Sequence, residues 1–385
     1  MDTGKFKTKT IFKRRNNGDT GDKWCVALDL GYSAVKVFSP NTVAMFPSYA
    51  KKENSNYLGE VNNNVILYKN LETGERWTVG DDAQSRIDVR DTGDSEASLY
   101  GRERYMTPMF KVLVETGLAI GSYPVAGNSP KGRGIFVQTG LPPKYLKADR
   151  ELLTEVIAGR HHFSIQLGAE PEVEFDFTIL ESNIDVISQP MGTLFSVMVD
   201  NNHRFIPNAE DYFAKNLIVF DPGFGTLDIF PIRQHHVEVS ETFDNLGMKR
   251  VIEETASAIN EKYGQDISVP AMQKYLARGT FRYQKRENGR MVTKDIEFAD
   301  ILAEKNKDVC IEALQRLEQV VPLAEYDYLI ITGGTSAAWN DMIREYFSGM
   351  STLKIVSGNQ NDTLPFAFAN VRGYFMYRYG KLMGD

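Results

Sequence analysis

The chain has 385 residues, 42% of them hydrophobic and 25% charged, an ordinary globular composition at a length that favours two lobes over a single core. No stretch approaches the roughly 18 to 20 consecutive apolar residues that cross a bilayer, and the amino terminus carries no apolar run suited to a secretory signal. A net charge of −7 excludes a protein that grips nucleic acid over its whole surface, and two cysteines in no metal-ligand spacing, Cys25 and Cys310, read as free buried thiols of a reducing, cytoplasmic compartment.

Residues 1–22 are the basic exception, with Lys5, Lys7, Lys9, Lys13, Arg14 and Arg15 set in a polar run. The composition predicts a disordered, solvated tail; a basic arm touching DNA, a membrane or a neighbouring subunit is the sharper alternative. Trp24 to Leu30 is an apolar strand that runs into Asp29-Leu-Gly31, and Ala34 to Ser39 is a second strand after the tight turn. Residues 41–125 are more polar, with a turn at Asn62-Asn63-Asn64 and a helix over Thr107–Leu118, and read as an inserted subdomain. Ile135–Thr139 is a strand closed by Gly140-Leu-Pro-Pro143, where proline forbids continuation. A helix over Ala148–Gly159 and strands over Phe175–Leu180 and Asp185–Ser188 complete a first lobe, 23–190.

The second half opens the same way. Asn216–Phe220 is an apolar strand leading into Asp221-Pro-Gly223-Phe-Gly225, followed by Thr226–Pro231. A helix over Met248–Tyr263, a polar, turn-rich stretch over 264–300 and a long helix over Ala303–Val321 form a second insertion, 250–320. Tyr328–Thr332 is a buried strand ending in Gly333-Gly334-Thr335-Ser336. The second lobe spans 191–364, and 365–385 returns to the first.

The informative feature is an internal duplication. Asp29-Leu-Gly-Tyr-Ser-Ala-Val-Lys36 and Asp221-Pro-Gly-Phe-Gly-Thr-Leu-Asp228 share one pattern and lie about half a chain length apart. A lone Asp-x-Gly hairpin is a common turn; two copies plus a third glycine turn after a buried strand form a constellation. Glycine lets backbone N–H groups approach a ligand closely, and a tight turn aims them at one point as an anion-binding concavity. Ser33 and Thr226 add hydroxyls, and Lys36 adds a point charge. A carboxylate beside a phosphate repels it unless a cation lies between, and Mg²⁺ is held by one or two carboxylates with the rest of its shell from water and phosphate. Asp29 and Asp221, one per lobe, suit that role.

Together the three segments resemble the actin superfamily, with its filament proteins, chaperone ATPases and sugar kinases. Leu28-Asp-Leu-Gly-Tyr-Ser-Ala-Val-Lys-Val37, Val79-Gly80, Thr139-Gly-Leu-Pro-Pro143, Thr226-Leu-Asp-Ile229 and Asn245-Leu-Gly247 are most similar to the ParM/StbA-like plasmid-segregation actins. The resemblance implies an α/β, two-lobed actin-like fold of duplicated ribonuclease-H-like domains around a nucleotide cleft. It implies that Asp29, Gly31, Tyr32, Ser33 and Lys36 contact phosphate or metal from one lobe, and Asp221, Gly223, Phe224, Gly225 and Thr226 from the other. Gly333, Gly334 and Ser336 then border the nucleoside, and Gly247 with Lys249, Arg250 and Glu253 opens a helix beside ribose and base. Gln189 takes the place of the residue that positions the attacking water, and Asp221 joins it as catalytic. A neutral amide orients water and does not abstract a proton.

The implied function is a Mg²⁺-dependent ATPase, with GTP as the alternative nucleotide, that polymerises with itself and segregates plasmid DNA through a DNA-binding adaptor, with neither direct nucleic-acid contact nor a membrane. The other reading is a sugar-type kinase of the same fold, with Asp185 as its base. His161-His162 and His235-His236 lack further spaced ligands and are expected at the surface. Tyr212-Phe213, Tyr374, Phe375, Tyr377 and Tyr379 read as exposed aromatics, either subunit contacts or a partly buried rim.

Overall fold

The computed structural model describes residues 2–53, 65–87, 101–125, 127–234 and 236–384. The Asn62-Asn63-Asn64 turn and His235 lie outside the described residues.

Lobe I opens with strands β1 (Ile11–Arg14), β2 (Lys23–Leu30), β3 (Ala34–Phe38), β4 (Thr42–Pro47), β5 (Ala50–Lys52), β6 (Ile66–Asn70) and β7 (Arg76–Val79). Helices α1 (Asp81–Ser85) and α2 (Pro108–Gly121) follow, the second started by the Thr107 side chain and by proline in its first turn. Then come β8 (Gly134–Leu141), α3 (Pro143–Ile157), β9 (Gly159–Leu167), β10 (Val173–Ile179), β11 (Ile184–Ser188) and α4 (Gln189–Met198). Lobe II adds α5 (Asp211–Ala214), β12 (Leu217–Pro222), β13 (Thr226–Arg233), β14 (His236–Val237), β15 (Glu241–Asp244), α6 (Met248–Tyr263) and α7 (Val269–Arg278). It ends with β16 (Thr280–Glu287), β17 (Arg290–Glu297), α8 (Ala299–Val320), β18 (Tyr328–Ile331), α9 (Ser336–Tyr346), β19 (Lys354–Ser357) and α10 (Ala369–Met383).

The duplication is visible in the strand order. In lobe I, β2 pairs antiparallel with β3 and parallel with β8, which pairs parallel with β11. In lobe II, β12 pairs antiparallel with β13 and parallel with β18, which pairs parallel with β19. A further antiparallel strand extends each hairpin, β4 beside β3 and β15 beside β13. Both central strands are buried along nearly their whole length, so they read as continuous apolar runs rather than alternating ones.

Each lobe has its own core, one around Trp24, Val26 and Leu28 and one around Phe220, Ile229 and Trp339. A third core joins them. Cys25, Ala27 and Phe38 of lobe I meet Leu217, Val219 and Ile330 of lobe II, with Val197 of α4 and Val371 and Tyr374 of α10 between. The carboxy-terminal helix therefore lies against lobe I and also fills the space between the lobes.

Four sequence readings change. The expected disordered tail is ordered: β1 pairs with β4 at the edge of the lobe I sheet, and Phe6, an isolated apolar residue in a polar run, is buried in the lobe II core. The lobe I insertion does not stop near 125, because β9 and β10 join β5, β6 and β7 in a second sheet by pairing of β9 with β6. The polar stretch 264–300 contains α7 and the β16–β17 hairpin. Its turn residues Asn288 and Gly289 both have positive φ, the two-residue turn that suits the twist of paired strands. Tyr212, Tyr374 and Phe375 are buried rather than exposed, while Phe213 is 53% exposed.

Candidate functional site

The two duplicated hairpins meet across one cleft of about 320 Å³, within the range of small-molecule sites. Asp29 and Lys36 stand opposite each other in register on β2 and β3. Their side chains form an ion pair of 2.8 Å, mostly shielded from solvent. The turn between them is braced from outside: Ser48 Oγ donates to Gly31 O at 2.7 Å, and Arg104 Nη1 donates to the same carbonyl at 3.1 Å. The Arg104 guanidinium also bonds Leu30 O and lies 4.2 Å from the Tyr32 ring centre, so one buried cation fixes the turn by hydrogen bonds and a cation–π contact. No local motif marks Arg104, which lies 75 residues beyond Asp29.

The second turn is clamped by lobe II. Gly223 N–H donates to Thr226 O at 2.8 Å within the hairpin. Thr335 Oγ1 donates to Gly223 O at 2.6 Å, and the amides of Met248 and Lys249 donate to Gly223 O and Phe224 O at 3.2 and 2.8 Å. This close packing explains Gly247, where a Cβ would lie 2.4 Å from Gly223 O. Gly333 is more constrained still: its φ is +84°, and a Cβ there would lie 2.3 Å from Asp221 Oδ1. The glycine turn of the third motif thus rests directly on the second hairpin's carboxylate.

Asp221 and Asp228 face each other across the second hairpin. Both are buried, and burial is the main force raising both carboxyls. Asp221 is pushed up to about 6, with Asp29 adding to the rise while the Asn370 hydrogen bond and Lys36 oppose it. Asp228 is pushed up to about 8, helped by Asp221 and opposed by a hydrogen bond from Thr242. Asn370, on α10, donates to Asp221 Oδ2 at 2.7 Å and accepts from Thr193 Oγ1 of α4. One helical turn on, the Tyr374 ring packs on Gly140 and Gly192, and its buried hydroxyl has no hydrogen-bond partner among the described residues. Asn370 and Tyr374 reach the site only through tertiary packing.

Asp29, Gly31, Tyr32, Ser33, Lys36 and Gln189 line the cleft from lobe I. Asp221, Gly223, Phe224, Gly225, Thr226, Gly333 and Gly334 line it from lobe II, and Thr335 and Asp228 join them. The cleft walls also include the apolar groups Met248, Ala337, Ala338, Pro365 and Ala367. Gln189 is the first residue of α4, half-buried, and its side chain has no hydrogen-bond partner among the described residues.

Five of the expected nucleotide-binding residues, Gly247, Lys249, Arg250, Glu253 and Ser336, do not line the cleft. Ser336 is fully buried and bonds back to Thr332 O. Gly247 sits behind Gly223, Lys249 pairs with Glu253 at 3.2 Å, and Arg250 pairs with Glu254. Asp185 is absent from the cleft wall too; Lys381, Arg378 and Arg150 hold it at 3.0, 3.6 and 3.8 Å. His161, expected at the surface, is fully buried between Glu115 and Ile157 O, whereas His162 on the opposite face meets Glu174.

Further contacts bridge the lobes around the cleft. Tyr32 packs on Gly225, where a Cβ would be 3.1 Å from the ring, so the two turns touch. Lys144 and Tyr145 of α3 both bond Asp244 at the end of β15. Lys274 Nζ of α7 donates to Ile87 O at 2.7 Å.

Residues 27–192 match a family model described as Actin like proteins N terminal domain. The match falls within lobe I, and the whole chain has the actin-like fold. A solved structure titled pCBH ParM non-polymerisable quadruple mutant is 19% identical, with a TM-score of 0.69, covering 92% of this chain and 99% of its own. A 15-stranded ParM filament from Clostridium botulinum is 18% identical at a TM-score of 0.65, covering 92% of this chain and 98% of its own. Ta0583, an archaeal actin homolog solved in complex with ADP, is 15% identical at a TM-score of 0.59, covering 92% and 99%. No curated protein matches the sequence. Among the described residues, no helix is long and apolar enough to cross a membrane, and both cysteines are buried and unpaired.

Proposed function

We propose that this actin-like chain is a Mg²⁺-dependent ATPase that assembles into filaments when the nucleotide closes its cleft, and that it serves plasmid segregation in the cytoplasm through a DNA-binding adaptor. The observation that carries the reading is the meeting of Gly31-Tyr32-Ser33 and Gly223-Phe224-Gly225 across one cleft, with Tyr32 resting on Gly225. Tight glycine turns can aim backbone amides at one anion, so a terminal phosphate held by both would bind the two lobes to each other.

The donor set suits a hydrated divalent cation. Burial raises Asp221 to about 6, and the neighbouring Asp29 adds to the rise while Asn370 and Lys36 compensate only in part. Among the described residues, no group of three or more His, Cys, Asp or Glu side chains could hold a metal. Asp29 and Asp221 would therefore hold Mg²⁺ largely through water and phosphate. When bound, the ion neutralises phosphate charge during transfer. Gln189, its amide uncommitted among the described residues, orients a water towards the terminal phosphate. The apolar group around Met248 and Ala338 offers a surface for the base and contains no feature that selects adenine over guanine; ATP remains the reading and GTP the alternative.

Closed subunits associating head to tail form an open filament when the rotation does not close. The ParM filament among the structural neighbours and the ADP complex of Ta0583 support the analogy. A net charge of −7 favours an adaptor over direct DNA contact. The kinase reading loses its base, since three cations hold Asp185 outside the cleft.

Light scattering and pelleting with ATP, with ADP and without nucleotide, alongside phosphate release, test the proposal. ATP-dependent scattering that decays as phosphate appears is expected. Scattering that stays flat at high protein concentration sinks the filament reading, and turnover that requires an added sugar sinks the ATPase reading.

A further inference from the structure

The segment before β2 docks twice, on different lobes. Thr3 Oγ1 donates to Leu276 O of α7 at 2.7 Å, and Phe6 is 7% exposed in the lobe II core. The chain then crosses to lobe I, where Lys7 Nζ lies 3.2 Å from Asp81 Oδ1 and Thr10 N–H donates to Asp81 Oδ2 at 3.0 Å. Strand β1 completes the anchor by pairing with β4. Lys5, Lys7 and Lys9 of this doubly anchored segment line the same cleft as the hairpins.

The three lysines are not equivalent. Asp81 neutralises Lys7. Lys5 and Lys9 are exposed and have no carboxylate partner among the described residues. Ammonium groups without counter-charge, held at the wall of a cleft by backbone fixed on both sides, suit a polyanion: much of the ordering entropy that a free tail would lose on binding is already lost in folding.

We propose that Lys5 and Lys9 are nucleotide-binding residues, supplied by an amino-terminal strap that spans both lobes and presents two cations to the phosphate chain of a nucleoside triphosphate. The proposal rests on the nucleotide reading of the cleft. It adds to whatever selectivity the hairpins provide. A triphosphate carries more negative charge than a diphosphate, so unpaired cations at the cleft wall favour it by simple Coulomb attraction.

The test uses the full chain with Mg²⁺, titrating a slowly hydrolysed ATP analogue and ADP at low and high salt. Lys5→Glu with Lys9→Glu should weaken the analogue about tenfold and ADP less, with the gap to wild type narrowing at high salt. Lys5→Arg with Lys9→Arg should keep wild-type affinity. Should the glutamate pair fail to fold, judged by its melting curve, Lys5→Ala with Lys9→Ala reads the same direction with a smaller loss. Wild-type affinity in the glutamate or alanine pair overturns the proposal. Weakened assembly at unchanged affinity also overturns it and assigns the lysines to contacts between copies. If the wild type itself binds neither nucleotide, the reading of the cleft fails, a result distinct from failure of the strap alone.

Discussion

The side-chain amide of Asn370 donates a 2.7 Å hydrogen bond to Asp221 Oδ2, which ties the carboxy-terminal helix lying on lobe I to the phosphate hairpin of lobe II. Asn370→Ala removes the hydrogen bond that holds this carboxylate down and leaves the Thr193 hydroxyl without its acceptor. Loss of about 1–3 kcal/mol of stability is expected in denaturant titrations. In phosphate-release assays, the acid limb of the pH profile should move to higher pH.

Asp228 gives the nucleotide-free protein an unusual pH dependence. Its folded-state value of about 8 lies above the ordinary carboxylate value, so across that window the folded state binds more protons than the unfolded one. Stability then falls as pH rises: the contribution of protonated Asp228 is complete below pH about 4 and is lost as pH passes through about 8. Asp228→Asn, whose Oδ1 still accepts from Thr242, should raise the melting temperature at pH 8 to 9 and flatten the profile. Melting curves that run parallel for the two proteins would contradict this.

Gly333→Ala forces a side chain into a left-handed backbone and onto Asp221 Oδ1. The backbone term alone costs about 1–2 kcal/mol, and the contact adds displacement of the carboxylate. Both the denaturation midpoint and nucleotide affinity should fall. Gly349→Ala, where a Cβ meets open space, is the control and should stay within about 0.5 kcal/mol of wild type.

Gln189→Ala separates binding from turnover. The amide lines the cleft without a hydrogen-bond partner among the described residues, so its loss should leave nucleotide affinity within about twofold while phosphate release drops about 100-fold. An equal loss in both measurements would place Gln189 in binding rather than in orienting water.

Much of the cleft was legible in the sequence because its parts are local. Asp29 to Lys36 and Asp221 to Asp228 are each a strand, a glycine turn and a strand, and the duplication told that the two belong together. Arg104, Asn370 and Tyr374 left no such trace. Each comes from a segment distant in sequence from the hairpins, and no local motif marks it. The strap was misread for a related reason. Composition over 1–22 is dominated by charge, whereas its placement is decided by single apolar anchors, Phe6 and Ile11, that carry little weight in an average. His161 was misread because strand alternation fixes that neighbours differ in face, but not which face is the inner one.

The two thiols also have a practical use. Cys25 lies in β2 of lobe I and Cys310 in α8 of lobe II, each fully buried and with its thiol pushed up to about 12 by burial. At neutral pH such thiols are poor nucleophiles, so the native chain is close to blank towards maleimide dyes. One cysteine introduced on the exposed face of each lobe therefore becomes a fluorescence ruler for the opening angle, read in solution without first stripping the chain of its own sulfur.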